Sequence, residues 1–420
     1  MNRSAVREIQ VAGASAQRGE VLVPTQIGDP VHGMLNCHAA PLVAGSLRAK
    51  GRDVRIAELP QGDDAGTDGD LTLHLVTCPQ QDGSTAAIAA ASTPGDAVAA
   101  AAARAAVDEW AAVSATRTLL MAANPWCSGA LYAASAARQA AADYHGTGHR
   151  VHVLSPVAMP PETTSALEDL GAVITPSLAD VGPGDIVVIP AHGVTADVRV
   201  EAERRGATVV DGTCPFVAAA QSAADRAAER DQQVVLISQP GHAATDPILS
   251  HASGHMIAVE TPAKTAAVKA SDSRQITYFI QPGVPVETAA PIVGALRSRY
   301  PAVKPAVPAD VCYAPSDRIG TIQSVAAATD LMFILGDPNS QDAKQISGHA
   351  RGAGTKVQVV GDVDEIKPSM LAGVLTIGVA ESLTARAGLA ANVLTALSGL
   401  GRLSVARRRL STEKTSSVLT

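Results

Sequence analysis

Short apolar runs separated by Ala-rich stretches fill this chain, and that alternation constrains its fold more than any other feature. The runs lie at 21–23, 71–76, 119–121, 151–154, 186–189, 209–210, 234–237, 276–280, 331–335, 357–360 and 374–379, and stretches such as 131–142 and 217–230 carry helical spacing between them. Strands that alternate with helices predict α/β units built on largely parallel sheets. Aromatic residues make up only 2% of the chain against 46% hydrophobic residues, so Ala, Val, Leu and Ile must build the core. That hydrophobic share excludes a disordered chain.

Charge and composition narrow the partners. A net charge of −7 gives no general attraction to phosphate backbones or anionic lipid, and so few aromatics make no base-stacking platform. No nucleic acid and no membrane are expected. The Ala-rich run at 96–113 contains Arg104, Asp108 and Glu109 and reads as a soluble helix, and the start MNRSAVREIQ lacks a signal-peptide core. The reading is a cytoplasmic protein. Its five cysteines, Cys37, Cys78, Cys127, Cys214 and Cys312, are odd in number and widely spread, which argues against a disulfide scaffold.

Four segments are expected: a small α/β unit over 1–85, an Ala-rich linker and helix over 86–116, a main body over 117–400, and a disordered basic tail over 401–420 with Arg407, Arg408 and Arg409. The body is expected as lobes of about 117–213, 214–311 and 312–400. Within it one junction repeats. Cys127, Cys214 and Cys312 each stand where a strand-like run hands over to a helix-like one, 87 and 98 residues apart. Ligand sites in open α/β sheets lie at the carboxyl ends of strands, and helix N-termini there are expected to lower thiol pKa values. Three converging thiolates would leave one corner of a four-iron cube free to act as a Lewis acid. Structural zinc, which prefers a close CxxC pair, and three merely buried cysteines are the competing readings.

The motifs NPWCSG, AHGV, DGTCPFV, SQPGH, DVCYAPSDR and GDPNSQ, in this order, resemble those of the 4-hydroxy-3-methylbut-2-enyl diphosphate reductase (LytB-type) family over roughly residues 117–390. The resemblance implies three pseudo-equivalent α/β lobes in a trefoil around a [4Fe-4S] cluster held by Cys127, Cys214 and Cys312. It implies reductive dehydroxylation of the allylic diphosphate to isopentenyl and dimethylallyl diphosphate, with a ferredoxin or flavodoxin delivering electrons singly. His192 and His242 match diphosphate-binding histidines, Asn339 and Ser340 match part of a phosphate-binding loop, and Thr384 stands where the family has Ser.

Other positions depart from the family pattern. Ala244 replaces a proton-relay Glu, with Asp246 as the candidate substitute proton donor. Met159 or a neighbour replaces a histidine, and Pro282 replaces a Thr. Asp342 stands where a neutral donor is expected, and Glu381 precedes Thr384 closely. Two like charges about 4 Å apart repel by roughly 4 kcal/mol at an effective dielectric near 20. These changes leave two alternatives open: a paralogue acting on a less anionic allylic alcohol, and a non-catalytic iron–sulfur redox sensor. His32, Cys37, His38, His74 and Cys78 read as ordinary packing residues ahead of a second metal site, and no GxxxxGK loop, GxGxxG after a strand or nucleophile elbow is present.

Overall fold

The computed structural model describes residues 6–11, 14–29, 31–59, 71–123, 126–154, 161–252, 254–269, 276–306 and 311–411. The position of Met159 lies outside the described residues. The chain divides into two compact units, Met1–Asn124 with Thr321–Arg409, and Pro125–Gly320 with Leu410–Thr420.

The first unit begins with β1 (Arg7–Val11), β2 (Glu20–Pro24), β3 (Gln26–Asp29), β4 (Gly33–Asn36), α1 (Ala40–Ala49), β5 (Asp53–Ala57), β6 (Leu71–Pro79), β7 (Thr85–Ser92) and α2 (Ala97–Ala112). The strands form one sheet ordered β1-β6-β7-β2-β5, with the β3–β4 hairpin joined to β7. Here the structure corrects the expected linker over 86–116. Its first residues are β7, a long strand buried along nearly its whole length. The sequence TAAIAAAS hides it because Ala is depleted in strands, but cover by neighbouring elements overrides that weak preference. Asp96 caps α2 by accepting from the Ala99 N–H, and the fully buried Trp110 donates its indole N–H to Ser46 at 3.0 Å.

After β8 (Arg117–Ala122) come the elements of the second unit. They are α3 (Ser128–Tyr144), β9 (Val151–Leu154), α4 (Pro161–Asp169), β10 (Val173–Thr175), β11 (Ile186–Ile189), α5 (Ala196–Arg204) and β12 (Thr208–Asp211), then α6 (Pro215–Glu229), β13 (Gln233–Ile237), α7 (Thr245–Leu249), β14 (Met256–Val259), β15 (Ile276–Ile280), α8 (Val286–Arg299) and β16 (Lys304–Pro305). They build two parallel sheets, β10-β9-β11-β12 and β14-β13-β15-β16. Buried strands such as IVVI and QVVLI read as continuous apolar runs because helices cover both faces of a parallel sheet.

The chain continues through α9 (Ala314–Ala326), β17 (Leu331–Leu335), α10 (Gln341–Gly352), β18 (Lys356–Val360), α11 (Pro368–Leu371), β19 (Thr376–Glu381), α12 (Leu389–Ser398) and β20 (Leu403–Arg408). A third parallel sheet runs β18-β17-β19-β8-β20. Two expectations change here. Residues 117–122, read as the start of the first lobe, are a strand of this last sheet. Residues 403–408, read as disordered tail, are its edge strand. The backbone of β8 needs partners on both sides; β19 supplies one and β20 the other. Leu403 is buried at the edge, and Arg408 donates to the Ser324 carbonyl at 2.7 Å. The first unit also has one continuous apolar core, from Val21, Leu42 and Trp110 to Phe333, Ile377 and Leu397. The amino-terminal segment is therefore packed into the last sheet's core rather than forming a free module. Among the described residues no helix is long and apolar enough to cross a membrane.

Candidate active site

In the second unit the cysteines stand at helix starts. Cys127 is the N-cap of α3 and its sulfur accepts the Ala130 N–H at 3.4 Å. Cys214 is the N-cap of α6, with Pro215 at the first helical position, where its missing N–H leaves no helix bond unmade. Cys312 lies two residues before α9. Gly129 records how close the first two approach. A Cβ there would lie 2.5 Å from the Cys214 sulfur and 3.8 Å from that of Cys127, so only a glycine lets α3 pass. Cys127 and Cys214 both act electrostatically on Cys312.

The thiols do not follow the expectation that helix starts lower their pKa. Burial pushes Cys214 and Cys312 up. The N–H groups of Phe216 and Val217 at Cys214, and of Ala314 and Gly283 at Cys312, pull the other way without overcoming burial. The neighbouring sulfurs add repulsion. A helix start is a weak partial charge, whereas removing a thiolate from water acts on a full one. Such thiols gain most from a metal that takes their charge. Among the described residues no three His, Cys, Asp or Glu side chains are gathered for a single metal ion. The Cys127 and Cys214 sulfurs both flank Gly129 and both act on Cys312, and a set of thiol donors is the kind that holds an iron–sulfur group.

His192 and His242 form an edge-on pair with ring centroids 5.1 Å apart. Burial, then the neighbouring His192, brings His242 down to about 4; burial also lowers His192. Both rings are neutral at pH 7. The Ala244 N–H donates to His242 Nδ1 at 3.2 Å, which leaves the ring proton on Nε2. The His242 ring packs on Gly283, whose own N–H reaches Cys312, so the histidine pair adjoins the cysteines.

Ala244 is fully buried and brings no acid. Asp246 is exposed in the first turn of α7. Between them Thr245 donates its hydroxyl to Gln281 Oε1 at 2.8 Å. Pro282 is buried next to Gln281. Among the described residues three buried polar atoms near the carboxyl ends of β11, β13 and β15 have no hydrogen-bond partner: His192 Nδ1, Ser238 Oγ and Gln281 Nε2. An unmade hydrogen bond costs about 1–3 kcal/mol, so each of these atoms is a polar group still able to take a partner. Sequence reasoning missed Thr245, Ser238 and Gln281. Their only signal was proximity to the cysteine and histidine motifs.

In the first unit Asn339, Ser340 and Thr384 come together with Ser382. Ser340 caps α10 by accepting the Ala343 N–H at 3.1 Å. Thr384 donates to Ser340 Oγ at 3.3 Å, and Ser382 and Thr384 hydroxyls bond at 2.8 Å. The Asn339 N–H is held by Asp337 at 2.8 Å. The Asp342 carboxylate accepts the Leu383 N–H at 2.7 Å, and Glu381 ends β19 opposite Leu335.

A family model described as LytB protein matches residues 118–398. The chain belongs to the LytB family. The 4-hydroxy-3-methylbut-2-enyl diphosphate reductase 2 of Mycobacterium bovis is 35% identical over 251 residues, 59% of this chain and 76% of that protein. The corresponding reductase of Cronobacter sakazakii is 28% identical over 287 residues, 67% of this chain and 90% of that one. The solved E-1-hydroxy-2-methyl-but-2-enyl-4-diphosphate reductase of Plasmodium falciparum matches with a TM-score of 0.60 at 18% identity, covering 71% of this chain and 94% of that one. A second solved reductase, the terminal enzyme of the non-mevalonate pathway, matches with a TM-score of 0.51 at 21% identity, covering 66% and 98%. The chain thus has the mixed α/β fold of these reductases. The LytB family is an iron–sulfur enzyme family, and the thiol donor set described above fits such a group.

Proposed function

We propose that this protein reductively removes the hydroxyl of 4-hydroxy-3-methylbut-2-enyl diphosphate to give isopentenyl and dimethylallyl diphosphate, the terminal step of the non-mevalonate route. The observation that carries this reading is a LytB chain in which Cys127 and Cys214 act on Cys312 and a buried histidine pair packs on the glycine that reaches Cys312. Cys127, Cys214 and Cys312 would hold a [4Fe-4S] cluster, which when bound would supply single electrons and an iron corner without a protein ligand.

The chain's own groups account for the rest. The backbone N–H groups at the helix starts stabilise the thiolates once ligated. His192 and His242 act as neutral N–H donors to the diphosphate rather than as cations, with His242 donating from Nε2. In the first unit the Ser340 and Thr384 hydroxyls and the Asn339 amide form a proposed anion site of their own, helped by the partial positive charge at the start of α10. Asp246 is the proposed proton source, since an exposed carboxyl can be recharged from solvent. The step takes two electrons and two protons: the C–O bond breaks, the departing hydroxyl takes one proton and leaves as water, and the allylic carbon left with the electron pair takes the second proton to give the product. A ferredoxin or flavodoxin is the proposed electron donor and the cytoplasm the proposed location.

Anaerobic reconstitution with iron and sulfide, followed by iron analysis and viologen-driven turnover, tests this reading. About four irons per chain and conversion of the allylic diphosphate are expected. A reconstituted, iron-loaded protein that leaves this substrate untouched would end the proposal.

A further inference from the structure

We propose that Asp342 is a positioning residue that clasps the 382–384 turn and so assembles the hydroxyls that receive the substrate's anionic end. The inference rests on the reading of that turn as the anion site. At first sight a carboxylate here only repels a diphosphate. Its contacts say otherwise. Asp342 is the second residue of α10, where the helix N-terminus favours negative charge, and Oδ2 accepts the Leu383 N–H at 2.7 Å. Leu383 sits between the two hydroxyl residues of the turn.

Those hydroxyls form a directed chain. The Ser382 N–H is tied to the Leu335 carbonyl at 2.8 Å, and its Oγ accepts the Thr384 N–H at 3.2 Å. Thr384 Oγ1 accepts the Asp337 N–H at 3.0 Å and donates to Ser340, which donates to the Asp337 carbonyl at 2.9 Å. Each hydroxyl proton therefore points along the chain toward Asp337 while no ligand is bound. An anionic oxygen can turn one of them outward, because hydroxyls rotate at little cost. What cannot be recovered by rotation is the place of the oxygens, and that is set by the backbone of 382–384. Gly336, with φ +137, leaves room beneath it: a Cβ there would overlap Ser382 Oγ. Glycine thus makes the space, and Asp342 holds the turn in it.

The two roles available to Asp342 predict opposite signs. Titration calorimetry of inorganic diphosphate into the reconstituted full chain is the test. If Asp342 is a clasp, Asp342→Ala weakens binding about tenfold, the scale of one hydrogen bond to a charged group. Asp342→Asn, whose amide oxygen still accepts the Leu383 N–H, binds at least as tightly as the parent. If Asp342 acts as a repelling charge, both variants bind more tightly, and the proposal is overturned. Unchanged affinity in Asp342→Ala overturns it as well. Thr384→Val separates the two layers of argument. If it binds diphosphate as the parent does, the anion-site reading itself fails; if it binds more weakly while the Asp342 variants behave as a repelling charge requires, only the clasp fails.

Discussion

The cysteine–histidine cluster and the Ser340–Thr384 turn differ in how they treat their polar groups. The first buries groups that the protein leaves incomplete: raised thiols, a neutral histidine pair and three polar atoms with no partner among the described residues. The second satisfies its groups internally through a closed run of hydroxyl bonds. A site that must hold a permanent inorganic group can be built unsatisfied, because the group completes it. A site that must take and release a substrate keeps an internal alternative for each hydroxyl, so that the empty state is not costly.

The largest expected effect lies on the incomplete side. Cys214→Ser should lower iron content from about four per chain to below one after reconstitution, and turnover by at least about a hundredfold. Retention of iron would break the contrast at its root. Next comes packing. Gly129→Ala puts a methyl 2.5 Å from the Cys214 sulfur, and should cost about 1–3 kcal/mol in denaturant unfolding as well as iron. The histidine pair gives a pH signature. The unfolded chain takes a proton on His242 near pH 6.5, whereas the folded one resists until about pH 4. Stability present above pH 6.5 should therefore fall as pH drops from about 6.5 to 4, and His242→Gln should flatten part of that slope. Equal slopes for both proteins would remove burial of the pair as its cause. On the self-satisfied side the effects should be smaller. Thr384→Val should raise KM about five- to tenfold with kcat nearly unchanged, because the remaining hydroxyls and helix donors still hold the anion. A collapse of kcat would make that turn part of the chemistry.

How legible these regions were depends on the interactions that define them. The parallel strands could be read directly, since burial on both faces writes them as apolar runs: 234–237 and 331–335 lie within β13 and β17. The cysteine junctions could be read because strand, cysteine and helix are neighbours in sequence. β7 could not, because an Ala-rich run carries no strand signal until the sheet covers it. β8 and β20 were assigned wrongly for a related reason. Each is completed by a partner nearly three hundred residues away, and local pattern carries no register. Among the site residues, the role of Asp342 depends on a backbone N–H, which no side-chain identity reveals.

From its sequence alone this chain determined its class of fold, its family and the three sulfurs at the starts of its helices. Those features rest on local periodicity and on residues adjacent in the chain. Tertiary structure alone decided that the amino-terminal strands share a core with the last sheet, that burial outweighs the helix ends at the thiols, and that the Asp342 carboxylate at the start of α10 turns to a backbone amide. Each of these is settled by desolvation and hydrogen-bond partners brought from distant segments, and such partners exist only once the chain has folded.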